Sequence, residues 1–230
     1  MSDKLFYLLQ VNDALFPIGG YSHSQGLETY IQKGIVHDVE SAGEYIANKL
    51  KWGLARMDLL AVRLAYERAL KEDLDGLMAL EELLEASRIP AEQREASRKM
   101  GSRFVKTIEK METDLCENNI FEKYLRERKG MPISHCCVYG VFCAALRIEE
   151  EAVLAHYLYA QTSAMVTNCV KTIPLSQSAG QMLLKNCYGY FKEILEEAAD
   201  WDEEELGLSA PGFDIRGIQH ERLYSRIYMS

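Results

Sequence analysis

Apolar side chains in this chain return every three or four residues, and that period limits its fold more than any other feature. From Ile46 they continue through Leu50, Leu54, Met57, Ala61 and Leu64 as one stripe. This is the spacing of an amphipathic helix, not the two-residue alternation of a half-buried strand. The period recurs at Met100, Phe104, Ile108, Met111 and Leu115, and again at Leu183, Cys187, Phe191, Ile194 and Ala198. No stretch alternates convincingly. The expected fold is all-α, and 5 prolines and 15 glycines are few for an all-β chain with many tight turns.

Boundary residues place the helices. Ser41 and Glu44 form an S-x-x-E capping box, which predicts a helix over 41–64. A second is expected over 74–86, and Pro90 suits the first position of a third. A short helix carries Glu122, Lys123, Arg126 and Glu127 outside with Phe121 and Leu125 beneath. Ser134 is the expected cap of a nearly all-apolar helix over 135–146, which reads as central. Glu149, Glu150 and Glu151 favour a helix start, since negative charge is stabilised there; that helix runs to about Val170. Pro174 interrupts, and Ser176 caps a helix over 176–199. Shorter helices fit 5–12 and 24–33. At 230 residues the chain can bury a sizeable core. The expected organisation is one compact all-helical domain over 1–206 and a C-terminal docking tail over 207–230.

Charge and cysteine usage exclude several function classes. With 26 Lys and Arg against 35 Asp and Glu, the net charge is −9, so a general nucleic-acid binder, which needs surplus cations, is not expected. The longest apolar run, Cys136 to Leu146, falls well short of the ~20 residues that span a bilayer. Met1-Ser2-Asp3-Lys4 has neither the basic region nor the apolar core of an export signal, so the expected location is cytoplasmic. The 6 cysteines are then reduced thiols, and none form C-x-x-C. His135, Cys136 and Cys137 are secondary metal-ligand candidates, because adjacent helical residues diverge from a common ion. The acidic tract from Asp200 to Glu205 reads as a solvated helix end or loop.

Three segments carry more than fold. In 16–28, glycines surround Tyr21, Ser22 and His23, which fits a loop presented to a partner. Ser22 and His23 also admit a nucleophile reading, but neighbours in sequence diverge on a helix and no G-x-S-x-G elbow is present. The second segment, 169–177, joins two long helices and contains Lys171. The third, 219–230, concentrates Arg and Tyr, the residues that dominate interface hot spots.

These segments together resemble the UreF family of urease accessory proteins. The family pattern L-Q-x-x-D-x-x-x-P-x-G-x-(Y/F)-x-x-S-x-G-L-E is matched from Leu9 to Glu28. V-K-x-x-P-L-(G/S)-Q is matched from Val170 to Gln177. H-E-x-x-Y-S-R-L-(F/Y) is matched from His220 to Tyr228, with Ile227 in place of Leu. The resemblance implies an all-helical, non-catalytic urease maturation scaffold. Such a protein binds UreH (also called UreD), and the pair recruits the GTPase UreG for GTP-dependent nickel insertion into apo-urease. It also implies a homodimer, with no tightly bound cofactor and nickel passing through the assembly. Tyr21, His220, Glu221, Tyr224, Ser225 and Arg226 are implied partner-binding residues, and Lys171 a residue that gates the GTPase. Asp13, Glu28 and Cys136 are candidates for a water-filled nickel route. The alternatives are a nickel-binding metallochaperone using His135, Cys136 and Cys137, and a small hydrolase using Ser22 and His23.

Overall fold

The computed structural model describes residues 3–111, 119–208 and 210–230, and among these there is helix and no strand. Leu115 of the third helix's stripe and the Cys116 thiol lie outside the described residues. The elements are α1 (Asp3–Val11), α2 (Leu27–Gln32), α3 (Val39–Lys49), a π-helical stretch (Leu50–Leu59), α4 (Leu60–Leu70), α5 (Leu74–Ser87), α6 (Ala91–Lys110), α7 (Ile120–Glu127), α8 (His135–Ala145), α9 (Glu150–Thr172), α10 (Gln177–Asn186), α11 (Tyr188–Ala198) and α12 (Pro211–His220). No helix among the described residues is long and apolar enough to cross a membrane.

The apolar helix α8 is the centre, as its composition predicts. His135 through Ala144 are all buried, and α4 is its main neighbour, with α6 next. Small residues set that approach. A Cβ on Gly140 would lie 2.5 Å from the Val62 carbonyl oxygen, and one on Gly101 of α6 would lie 2.1 Å from that of Ile133. Phe104 fills the space between, its ring 5.6 Å from those of Phe16 and Phe142.

Buried charge fixes the start of α8. Ser134 occupies the cap position, but its side chain makes no capping bond. Glu81 of α5, 1% exposed, instead accepts from the Ser134 amide at 3.0 Å and from the Tyr124 hydroxyl of α7. One carboxylate thereby joins three helices. Burial raises its pKa above the usual carboxylate value, against the opposing effect of those hydrogen bonds.

Several boundaries differ from the sequence expectation. The cap of α3 is Asp38, not Ser41: the Asp38 carboxylate accepts the Ser41 amide at 2.9 Å, and Ser41 Oγ accepts the Asp38 amide at 3.1 Å. Both residues are cap formers, and the sequence reading took the second. The helix expected over 41–64 is a continuous rod whose hydrogen-bond pattern changes to π between Leu50 and Leu59. Pro90 is the cap of α6 and precedes its first position. The helix expected over 176–199 divides at Cys187, although Ser176 does cap it through the Ala179 amide at 3.1 Å. Beyond Asp200 the expectation contained no helix, yet α12 forms, and the acidic tract is partnered: Glu203 pairs with Arg68 and Glu205 with Arg56, whose guanidinium also lies 4.3 Å from the Trp201 ring centroid.

Candidate functional site

Positive-φ glycines shape the first side of the site. Gly19 (φ 80°) starts a short 3-10 turn over Gly20–Ser22, and Gly26 (φ 87°) caps α2. A side chain at Gly26 would come within 3.3 Å of the Gly217 backbone, so α12 packs on α2 where both lack a Cβ. Thr29 Oγ1 donates to the Arg216 carbonyl at 3.0 Å, and the Phe213 ring sits 5.8 Å from Tyr30. Residues 26–30 are thus held against residues 213–217.

Glu28 is the hub of this seam. It is 6% exposed, and its carboxylate accepts the Ile227 amide at 2.7 Å, the Tyr228 amide at 3.0 Å and His220 Nε2 at 3.1 Å. The other ring nitrogen of His220, Nδ1, lies 2.8 Å from Glu92 Oε2, and Glu92 also pairs with Arg226. A neutral imidazole has one N–H and can donate to only one of these carboxylates. The bridge is complete when the ring carries both protons.

Backbone contacts extend the seam. The Ser24 and Gln25 amides donate to the Ser230 carbonyl oxygen at 2.5 and 2.8 Å, and the Met229 amide donates to Ser22 at 2.8 Å. Gln32 Nε2 donates to the Ser225 carbonyl at 2.6 Å. Glu221 performs a separate task. Pro90 offers no side-chain cap to α6, and Glu221 Oε1 accepts the exposed Ala91 amide at 2.9 Å. A carboxylate at a helix N-terminus also complements the dipole.

The structure therefore divides the expected partner residues. Tyr21 (72% exposed), Tyr224 (fully exposed) and Ser225 face solvent, and Arg226 is half-exposed beside Glu92. Ile227 and Met229 add exposed apolar surface. His220 does not face outward: at 1% exposure it is an internal strut, and Glu221 acts as the α6 cap. Lys171 is exposed in the last turn of α9. Glu92, which joins His220 to Arg226, was not singled out from sequence; an acid in a first helical turn is too common to mark a hub.

The nucleophile reading loses its geometry. Ser22 Oγ donates to the Gly19 carbonyl at 2.7 Å, closing the turn, while His23 Nδ1 faces Ser230 Oγ at 2.8 Å. Burial, then Lys99 and Arg103, lowers the His23 pKa. The metal candidates are also interior. Burial pushes the Cys137 thiol far above its ordinary range and His135 down to about 4. Among the described residues, no three His, Cys, Asp or Glu side chains are grouped to hold a metal ion. The route candidates are apart in character: Asp13 is exposed and accepts the Leu15 amide at 2.7 Å, Glu28 lies in the seam, and Cys136 is fully buried on α8.

The UreF family model matches residues 36–188. Over 99% of the chain and the full length of the relative, the sequence is 34% identical to the urease accessory protein UreF of Bacillus sp. strain TB-90. It is 33% identical to that of Lachnoclostridium phytofermentans, with both chains covered completely. It is 34% identical to that of Actinobacillus pleuropneumoniae, with 99% of each covered.

Proposed function

The chain belongs to the UreF family of urease accessory proteins, and from that premise we propose that it is a non-catalytic scaffold that recruits a GTPase for nickel insertion. Its role is in urease maturation. In the proposed assembly the protein acts in the cytoplasm as a homodimer. It binds UreH (UreD), and the pair recruits UreG for GTP-dependent delivery of nickel to apo-urease. Nickel is cargo, and no cofactor is held tightly. Lys171, exposed in the last turn of α9, is the proposed contact that gates GTP hydrolysis.

One observation supports this reading: the seam is hydrogen-bonded inside and exposes Tyr, Arg and apolar side chains outside. Glu28, His220 and Glu92 lock residues 220–230 to the body, which leaves Tyr21, Tyr224, Arg226, Ile227 and Met229 at the surface. Tyr and Arg provide large contact area and bidentate hydrogen bonding to carboxylates or phosphates. A surface already ordered avoids the entropy of folding on binding. The metallochaperone alternative needs thiolate at Cys137, and burial opposes that charge.

Gel filtration of the purified protein with UreH and UreG tests the proposal. The wild type should elute as a ternary complex. The double variant Tyr21→Ala, Tyr224→Ala should lose UreG with its melting temperature unchanged, since both rings are solvent-exposed. Retention of UreG by this variant would remove the seam from the interface.

A further inference from the structure

Three buried polar atoms behind the seam have no hydrogen-bond partner in the protein. Gln93 and Ser97 lie one turn apart on α6, and His135 opens α8. Gln93 Nε2, Ser97 Oγ and His135 Nε2 are each inaccessible and unpartnered, and the Ser97 and His135 residues are only 5% exposed. Such atoms are costly to leave unsatisfied. All three residues line the same void, whose volume is about 20 Å³. The partly buried Asp58–Arg88 ion pair at 2.8 Å forms part of the lining, as do His23 and Ser230.

Size and chemistry select the occupant. A buried water needs roughly 10–15 Å³ and two to four polar partners, which this void supplies. We infer that the void is an ordered-hydration site, in which one water molecule is bound by Gln93 Nε2, Ser97 Oγ and His135 Nε2 and sealed in by the His23–Ser230 hydrogen bond. The amide nitrogen of Gln93 can only donate, so the water accepts there. Its two hydrogens then serve Ser97 Oγ and the lone pair of His135 Nε2. That makes His135 the tautomer protonated on Nδ1. A neutral ring agrees with the burial that pushes this histidine down to about 4. The water ties the start of α8 to α6 directly beneath the seam, and lifting residues 227–230 exposes it.

A high-resolution crystal structure of the full chain tests the site. A water peak is expected within roughly 3.2 Å of His135 Nε2 and of Ser97 Oγ or Gln93 Nε2; a void without a peak overturns the inference. Oxygen-17 relaxation dispersion gives an independent count of long-lived waters. Ser97→Val places a methyl group in the void and should reduce the count by one with the helical circular dichroism unchanged. An equal count in the folded variant also overturns it. Should Ser97→Val fail to fold, the wild-type crystal structure decides. Ser230→Gly, which removes the hydroxyl facing His23, should shorten the residence time of that water, and an unchanged residence time refutes the seal.

Discussion

Replacing Glu28 by alanine should unlatch the C-terminal segment without unfolding the helical body. The carboxylate accepts two backbone amides and one imidazole nitrogen in a site 6% exposed. Hydrogen bonds to charged groups contribute about 1.5–3 kcal/mol each, but three on one carboxylate do not add fully. Removing one partner of a buried charged pair costs about 3–5 kcal/mol. At about 1.4 kcal/mol per tenfold change, the opening equilibrium of residues 222–230 should rise by roughly 10² to 4 × 10³-fold. Hydrogen exchange with mass spectrometry reads this directly. The Ile227, Tyr228 and Met229 amides are held by Glu28 and by the Ser22 carbonyl, so peptides over 224–230 should exchange faster, while peptides from α4 and α8 keep their wild-type protection. Glu28→Gln retains an acceptor oxygen and should lose only about 1–2 kcal/mol of local stability. Wild-type exchange at 224–230 in Glu28→Ala would refute the latch. An equal increase in α8 would show that the seam is part of the global unfolding unit.

Other perturbations probe the core and its buried charges. Gly140→Ala should lower stability by about 1–3 kcal/mol or more in urea denaturation, because the added methyl meets the Val62 carbonyl, a backbone atom that cannot rotate away; a change under about 0.5 kcal/mol would mean that α4 and α8 sit farther apart. Lys49 is 7% exposed, and its ammonium lies 4.8 Å from the Phe213 ring centroid with burial lowering its pKa from 10.5 to about 8. Between pH 8 and 10.5 the unfolded chain holds the proton that the native state has lost, so this group makes stability rise with pH across that window and penalises folding below it. Lys49→Met should therefore stabilise the protein at pH 7 by about 1–3 kcal/mol and flatten that alkaline rise; a fall in stability would show that the cation–π contact outweighs desolvation.

What the sequence disclosed depended on the range of the interaction. The centrality of α8 was legible because its residues are apolar on every side. The acidic start of α9 and the cap at Ser176 were legible because they act within one turn. The start of α3 was misplaced by two residues because Asp38 and Ser41 are both cap formers, and their mutual hydrogen bonds decide between them. Helix α12 was missed because Gly212 and Gly217 lower local helix propensity. Pro211 at its first turn was the available signal, and Gly217 is there because the Gln93 side chain and the Pro90 ring approach too closely for a side chain. The seam residues Tyr21, His220, Glu221 and Arg226 were reached through motif resemblance. Their division into outward-facing residues and internal struts was not legible, since it rests on pairs such as Glu28–His220 that lie 192 residues apart.

The close packing of α4 on α8 bears on how the chain behaves while it is being made. Leu60, Ala61, Val62 and Ala65 emerge from the ribosome some seventy residues before α8, the helix that covers them. Until then α4 leaves uncovered the surface that Gly140 later meets, made by the Val62 carbonyl, the Ala65 methyl and the Tyr66 backbone. The glycine that lets the correct partner approach is on α8, at Gly140, so a passing helix without a glycine in register would be held off by the Val62 carbonyl. Discrimination between the proper helix and an intruder during synthesis thus resides in the late partner, and a nascent chain stalled before Gly140 would be the form most exposed to mispairing.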